Sequence, residues 1–181
     1  MVKYAELLER GLTPTDISRL VRSGQLKRLR RGCFAEGGSA LAPEQRHRQL
    51  LEATRPTLAP DAVFTHVTAA VLHDLPVPIP HLTKIHITRA GGGGRVTANV
   101  WRHSAPLPDR SLTKVGGLLV TNLQRTVVDV ARWLPYADAV AVVDAALRQG
   151  VQRASLEKEL TAARRRRFNA RARRAVAFGD P

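Results

Sequence analysis

The stretch Thr13-Pro14-Thr15-Asp16-Ile17-Ser18-Arg19-Leu20-Val21-Arg22-Ser23-Gly24, followed by Gln25-Leu26-Lys27-Arg28-Leu29-Arg30-Arg31-Gly32-Cys33-Phe34-Ala35, decides how this chain reads. Thr13 is a good N-cap, and Pro14 follows at the first helical position, where its missing N–H costs nothing. Asp16, three residues after the cap, completes a capping-box variant and complements the helix dipole. Leu12 and Ile17 flank the cap as a hydrophobic staple. Ile17, Leu20 and Val21 then fall on one helical face, and Gly24 ends the helix. The Arg-Arg-Gly break at 30–32 predicts two short strands joined by a basic turn.

Residues 3–10 read as a short helix ending at Gly11. Helix, tight turn, capped helix and basic hairpin are the parts of a winged helix-turn-helix, in order. In that arrangement the second helix enters the major groove. Opposite its apolar stripe this helix offers Thr15, Ser18, Arg19 and Arg22, with Thr13 at its start. Arg suits guanine, and Thr or Ser suits a base edge or phosphate. Lys27, Arg28, Arg30 and Arg31 place four charges in five positions. Such crowding repels itself unless a polyanion neutralises it, so the hairpin reads as a phosphate or minor-groove contact. The plainer alternatives are an amphipathic surface helix and a solvated hairpin.

Composition agrees with this. The 181 residues carry 29 basic and 15 acidic side chains, a net charge of +14. A field of that sign attracts polyanions, nucleic acid first and an anionic membrane second. No apolar run approaches the ~20 residues of a membrane span, and the first residues lack a signal peptide's apolar core, so a cytoplasmic protein is expected. Cys33 is the single cysteine, which excludes an internal disulfide and a thiolate zinc site.

Downstream, Pro43 to Arg55 predicts a connecting helix. Thr65 caps a helix through Leu72, which Pro76, Pro78 and Pro80 end. Lys84 to Thr88 alternates as a half-buried strand, and Gly91 to Gly94 reads as a turn. Val96 to Arg102 and Leu118 to Thr121 are further strands, the last entered through a Gly116-Gly117 hairpin turn. Thr121 and Gln124 suggest a capping box for a helix carrying Leu123, Val127, Val130, Ala131 and Leu134. Pro135 to Gln149 is the next helix. Leu156 to Phe178 holds one or two more, with a second basic patch at Arg164, Arg165, Arg166, Arg167 and Arg171. That patch reads as a nonspecific phosphate contact or a solvated surface. The predicted class is α+β: a winged helix-turn-helix over residues 1–42, a connecting helix over 43–60, and a small mixed-sheet and helical domain over 61–181.

Catalytic and metal signals are weak. His47, His66, His73, His81, His86 and His103 show no ligand spacing, and only His66 and His73 could share a helix face. Glu157-Lys158-Glu159 lacks the upstream strand-end Asp of a metal-dependent nuclease. The glycines at 91–94 lack the Lys-Ser/Thr of a phosphate loop. Asp129 and Asp144 read as structural carboxylates that pair with Arg125 or Arg148. No cofactor, metal or catalytic residue is expected, and the chain is read as not an enzyme.

Several segments together resemble the AbiEi-type antitoxins of bacterial type IV toxin–antitoxin systems. They are Leu20 to Gly24 with Leu26 to Phe34, Thr68 to Pro76, Ile85 to Arg89, Gly117 to Val120, Arg125 to Ala131, and Asp144 to Gly150. The resemblance implies a winged helix that binds inverted repeats in its own promoter as a homodimer and represses the operon. It also implies a C-terminal part that counteracts a nucleotidyltransferase toxin. Such relatives usually carry another helix before the segment matched by residues 3–10, so a partner copy could complete the DNA-binding unit. Many continue into a very-short-patch-repair-like endonuclease domain, and the alternative reading is the DNA-targeting portion of such a nuclease.

Overall fold

The computed structural model describes residues 1–37, 41–89, 91, 93–163 and 166–180. The expected turn at 91–94 includes Gly92, and the second basic patch includes Arg164 and Arg165; these three lie outside the described residues. The chain is mixed α/β and divides into two compact units, Met1–Leu58 and Ala59–Pro181.

In the first unit a short strand β1 (Val2–Lys3) leads into helix α1 (Tyr4–Glu9) and then α2 (Pro14–Arg22). Strands β2 (Leu26–Arg30) and β3 (Cys33–Glu36) follow, and helix α3 (Pro43–Thr54) closes the unit. The sheet order is β1-β3-β2, antiparallel throughout. The capping chemistry predicted for α2 is present. Thr13 N–H donates to Asp16 Oδ2 at 3.1 Å, and Asp16 N–H donates to Thr13 Oγ1 at 3.2 Å. Ile17, from the apolar stripe, is buried with Val2, Leu7, Leu26 and Phe34, while Leu20 and Val21 pack against them half-buried. Gly32 carries the hairpin turn at φ +76°, a conformation costly for a residue with a Cβ. One β-bulge lies between Arg28 and Arg30. It breaks the strand's alternation, so Arg30 turns half-buried.

The segment 43–60, expected as a connector, behaves differently. Helix α3 packs on β2, and Arg30 Nη1 donates to the Ala53 carbonyl at 3.1 Å. The helix belongs to the first unit because Leu50, Leu51 and Ala53 need a surface to bury against.

The second unit holds a six-stranded mixed sheet in the order β6-β7-β5-β4-β9-β8. Its strands are β4 (Val63–Phe64), β5 (Ile85–Arg89), β6 (Arg95–Val96), β7 (Val100–Ser104), β8 (Leu112–Val115) and β9 (Leu118–Thr121). Strands β5/β7 and β4/β9 pair in parallel and the others antiparallel. The strand predicted over 96–102 is two, β6 and β7. Thr97 Oγ1 accepts the Val100 N–H and turns the chain between them.

The helices are α4 (His66–Leu72), α5 (Leu123–Trp133), α6 (Tyr136–Arg148), α7 (Arg153–Ala162) and α8 (Asn169–Phe178). Helix α4 touches both β5 and α5, and α6, α7 and α8 pack around α5. The core is built from Val, Ala and Leu, as scarce aromatics require.

Two predicted caps differ. Thr121 ends β9, and Asn122 caps α5, its Oδ1 accepting the Arg125 N–H at 2.9 Å. Thr65 precedes α4, but its hydroxyl meets Thr88 Oγ1 and His66 Nδ1 rather than the helix backbone. The Thr121 hydroxyl is claimed locally, by Thr126 Oγ1 at 2.7 Å, and the Thr65 hydroxyl by the distant Thr88.

Candidate nucleic-acid interface

The polar face of α2 is exposed. Thr13, Thr15, Ser18, Arg19 and Arg22 all stand at the surface. Not all are equally free. The Thr13 hydroxyl is held by Asp16 Oδ2 at 2.6 Å, and Ser18 Oγ donates to the Pro14 carbonyl at 2.8 Å. Arg19 Nη2 meets Asp16 Oδ1 at 2.8 Å, an exposed pair one turn apart. Hydrogen bonds from the Thr13 side chain and backbone, with the Arg19 charge, hold the Asp16 carboxyl below its ordinary pKa. An exposed pair of this kind contributes little because solvent screens it, so Arg19 can exchange Asp16 for a stronger acceptor. Among the described residues, the Arg22 side chain has no partner.

On the hairpin, Lys27, Arg28 and Arg31 are exposed. The Arg28 guanidinium lies 5.6 Å from the Phe34 ring centroid, a cation–π contact that orients it. Arg30 departs from the sequence expectation. Its guanidinium is tied to the Ala53 carbonyl and acts in joining β2 to α3. The structure adds one cation that sequence reasoning missed. Exposed Arg46, from α3, lines a small cavity of about 160 Å³ together with Lys27 and Arg28. The packing of α3 on β2 is what brings it there, and no local sequence signal marks it.

The second basic patch divides by role. Arg171 Nη1 donates to the Leu134 carbonyl at 2.9 Å, and its guanidinium covers the Phe168 ring at 4.7 Å. It is a packing residue. Arg166 and Arg167 instead line a cavity of about 490 Å³ with His66, His103, Asp129 and Arg132. Asp129 is a structural carboxylate paired with Arg125 as expected, at 2.7 Å, and also with Arg132 at 3.0 Å, whereas Asp144 accepts the Asp180 N–H at 2.8 Å.

The sequence did not point to the histidine cluster at this cavity. His66 opens α4, while His86 and His103 stand on the parallel neighbours β5 and β7. Their ring nitrogens lie within 4.8 Å of one another. Their arrangement does not suit a metal ion. The His66 and His103 rings are stacked at 3.7 Å and 13°, so their in-plane lone pairs cannot meet on one ion about 2 Å from each. His103 Nε2 and His86 Nδ1 share a hydrogen bond of 2.9 Å. Burial, with the neighbouring His103, Arg125, Arg166 and Arg132 charges, pushes the His66 pKa well below its ordinary value. Burial also lowers His103, to about 4. Burial thus favours the neutral forms of His66 and His103, with His66 stacked on His103 and His103 hydrogen-bonded to His86. His73, paired with His66 in the sequence reading, instead binds the Thr121 carbonyl through Nε2 at 2.8 Å.

Among the described residues, no helix is long and apolar enough to cross a membrane. Residues 1–36 match the family model described as "Transcriptional regulator, AbiEi antitoxin". None of the curated proteins matches the chain. Among solved structures the fold is similar to that of the RV2827C protein from Mycobacterium tuberculosis, a crystal structure. Sequence identity is 20% and the TM-score 0.54, over 97% of this chain and 71% of that one. At that identity the likeness concerns the fold alone.

Proposed function

We propose that the first unit is a winged helix that binds duplex DNA, with α2 in the major groove and the β2–β3 hairpin along the backbone. The observation that carries this reading is the surface chemistry of residues 13–31. Arg22 and Thr15 are exposed without side-chain partners among the described residues, and Lys27, Arg28 and Arg31 stand exposed on the adjoining hairpin. Helix residues of this kind read base edges, and hairpin cations neutralise phosphates. The match of residues 1–36 to a transcriptional-regulator family supports the same reading.

In its full form, the protein is a cytoplasmic autorepressor. Two copies bind an inverted repeat upstream of their own operon, and the protein acts as antitoxin to a nucleotidyltransferase toxin without catalysing a reaction itself. The test is binding of the full chain to its upstream region and to a scrambled duplex, followed by fluorescence anisotropy across a salt series. Arg22→Ala costs about 1–3 kcal/mol on the upstream site and less on the scrambled one. Arg28→Ala weakens both alike and reduces the salt slope by about one. Equal losses on both duplexes for Arg22→Ala would overturn the groove-reading role. Absence of any binding would overturn the DNA reading altogether.

A further inference from the structure

We infer that the cavity bounded by Arg132, Arg166 and Arg167 in the second unit is a binding site for a phosphomonoester group. The inference is independent of the DNA reading, which concerns the other unit.

Arg125, Asp129 and Arg132 form a polar stripe at i, i+4 and i+7 on α5, a helix whose neighbouring Val127, Val128, Val130 and Ala131 are apolar and buried. One carboxylate therefore serves two guanidinium groups. Asp129 Oδ2 accepts from Arg125 Nε and Asp129 Oδ1 from Arg132 Nη1, and Glu159 stands 3.7 Å from Arg125. Half-buried Arg166 adds a third guanidinium. Burial, then the Arg125 charge, lowers its pKa, while Asp129 and Glu159 act against that shift. Three cations thus share two carboxylates in a partly dry site, with exposed Arg167 beside them.

Arg132 gives the excess charge a direction. The residue is 6% exposed. Its Nε donates to Asn169 Oδ1 at 3.0 Å and its Nη1 to Asp129, which fixes the plane of the group. Among the described residues, the remaining Nη2 is buried without a partner. A buried charged donor left unpaired is costly, and folded proteins rarely keep one without a use. Arg132 lines the cavity, so an oxyanion there satisfies Nη2 and offsets the surplus charge together.

The donor set favours phosphate over carboxylate. Cations from α5 and from the segment before α8 approach from different elements, and a phosphoryl group offers three acceptor oxygens to such a set. The volume, about 490 Å³, is that of a small-molecule pocket and leaves room for the rest of the ligand. Two of the non-glycine residues with left-handed backbone, His66 at φ 49° and Phe168 at φ 60°, line this cavity. Strain of that kind gathers at ligand sites.

The experiment is calorimetric titration of the full chain at physiological chloride. The probes are inorganic phosphate, AMP, and a short single-stranded oligonucleotide with either a 5′-phosphate or a 5′-hydroxyl. Binding of a phosphomonoester at one site per chain is expected. Arg166→Gln, half-buried and outside the Asp129 network of hydrogen bonds, weakens it about tenfold or more, the loss of one charge-assisted contact. Arg148→Gln, exposed on α6 and outside the cavity lining, leaves it unchanged. AMP bound more tightly than phosphate identifies a free nucleotide as the source. Preference for the 5′-phosphorylated oligonucleotide over its 5′-hydroxyl form identifies a nucleic-acid end. No binding of any phosphomonoester overturns the proposal. So does an Arg166→Gln protein that binds as the wild type does, or an equal loss in Arg148→Gln, which would signify diffuse charge.

Discussion

Replacing Asp129 by Asn removes the charge from the most enclosed ion-pair network of the second unit while keeping the side chain's shape. Arg125, Asp129 and Arg132 side chains are 5%, 2% and 7% exposed, so solvent cannot take over the lost partner. Removing one member of a buried pair costs about 3–5 kcal/mol, because the remaining charge stays buried and uncompensated. Here Glu159 still faces Arg125 at 3.7 Å, whereas among the described residues Arg132 loses its one carboxylate partner. The lower end of the range, about 3 kcal/mol, therefore applies. Trp101 and Trp133 are the chain's two tryptophans, and both lie in the second unit, so tryptophan fluorescence during urea unfolding reports on that unit directly. A matching fall in melting temperature, about 10 °C, is expected for a unit of this size. Adding Arg132→Met to Asp129→Asn recovers part of the loss, because the unpaired cation goes as well. A loss below about 1 kcal/mol, the scale of an ordinary surface change, would refute the view that this network is dry.

Thr13→Ala removes the acceptor for the Asp16 N–H and costs α2 about 1 kcal/mol. Amide exchange of residues 14–22 measures this, and unchanged protection would show that the cap is not used. Acid acts on the second unit through His66, whose pKa burial pushes well below its ordinary value, and through His103. The folded-state pKa of His103 is depressed to about 4 by burial, so the folded state favours the neutral ring. The stability this contributes is complete above an unfolded pKa of about 6.5 and declines as pH falls toward 4, by up to about 3 kcal/mol. Urea midpoints at pH 7, 5.5 and 4.5 should fall in that order, and His103→Gln should flatten the trend. An equally steep trend in the variant would assign the acid sensitivity elsewhere.

The features legible in the residues alone are local. Thr13, Pro14, Asp16 and the Ile17/Leu20/Val21 stripe specify a capped amphipathic helix, because caps and helical periodicity act within one or two turns. Gly32 directly after the basic run Lys27 to Arg31 specifies a hairpin, because only its backbone tolerates that turn cheaply. The alternation of Ile85, His86, Ile87 and Thr88 marks a strand because successive side chains point to opposite faces, though packing buries all four rather than one face alone. Those rules place the exposed cations of α2 and the hairpin, and with them most of the candidate DNA surface.

Tertiary structure decided the rest. Whether a side chain is free or spoken for depends on groups far away in the chain. Arg30 is occupied by Ala53, Arg171 by Leu134, and Thr65 by Thr88, none of which periodicity can show. Arg46 joins the basic surface only because α3 packs on β2. His66, His86 and His103 meet because β5 and β7 are parallel neighbours and α4 packs against β5. Arg132 and Arg166 come to one cavity because α5 lies amid the other helices and the chain before α8 reaches back to it. Long-range burial makes these arrangements, since it rewards covering apolar surface and leaves each polar group to find whatever partner the packing brings near.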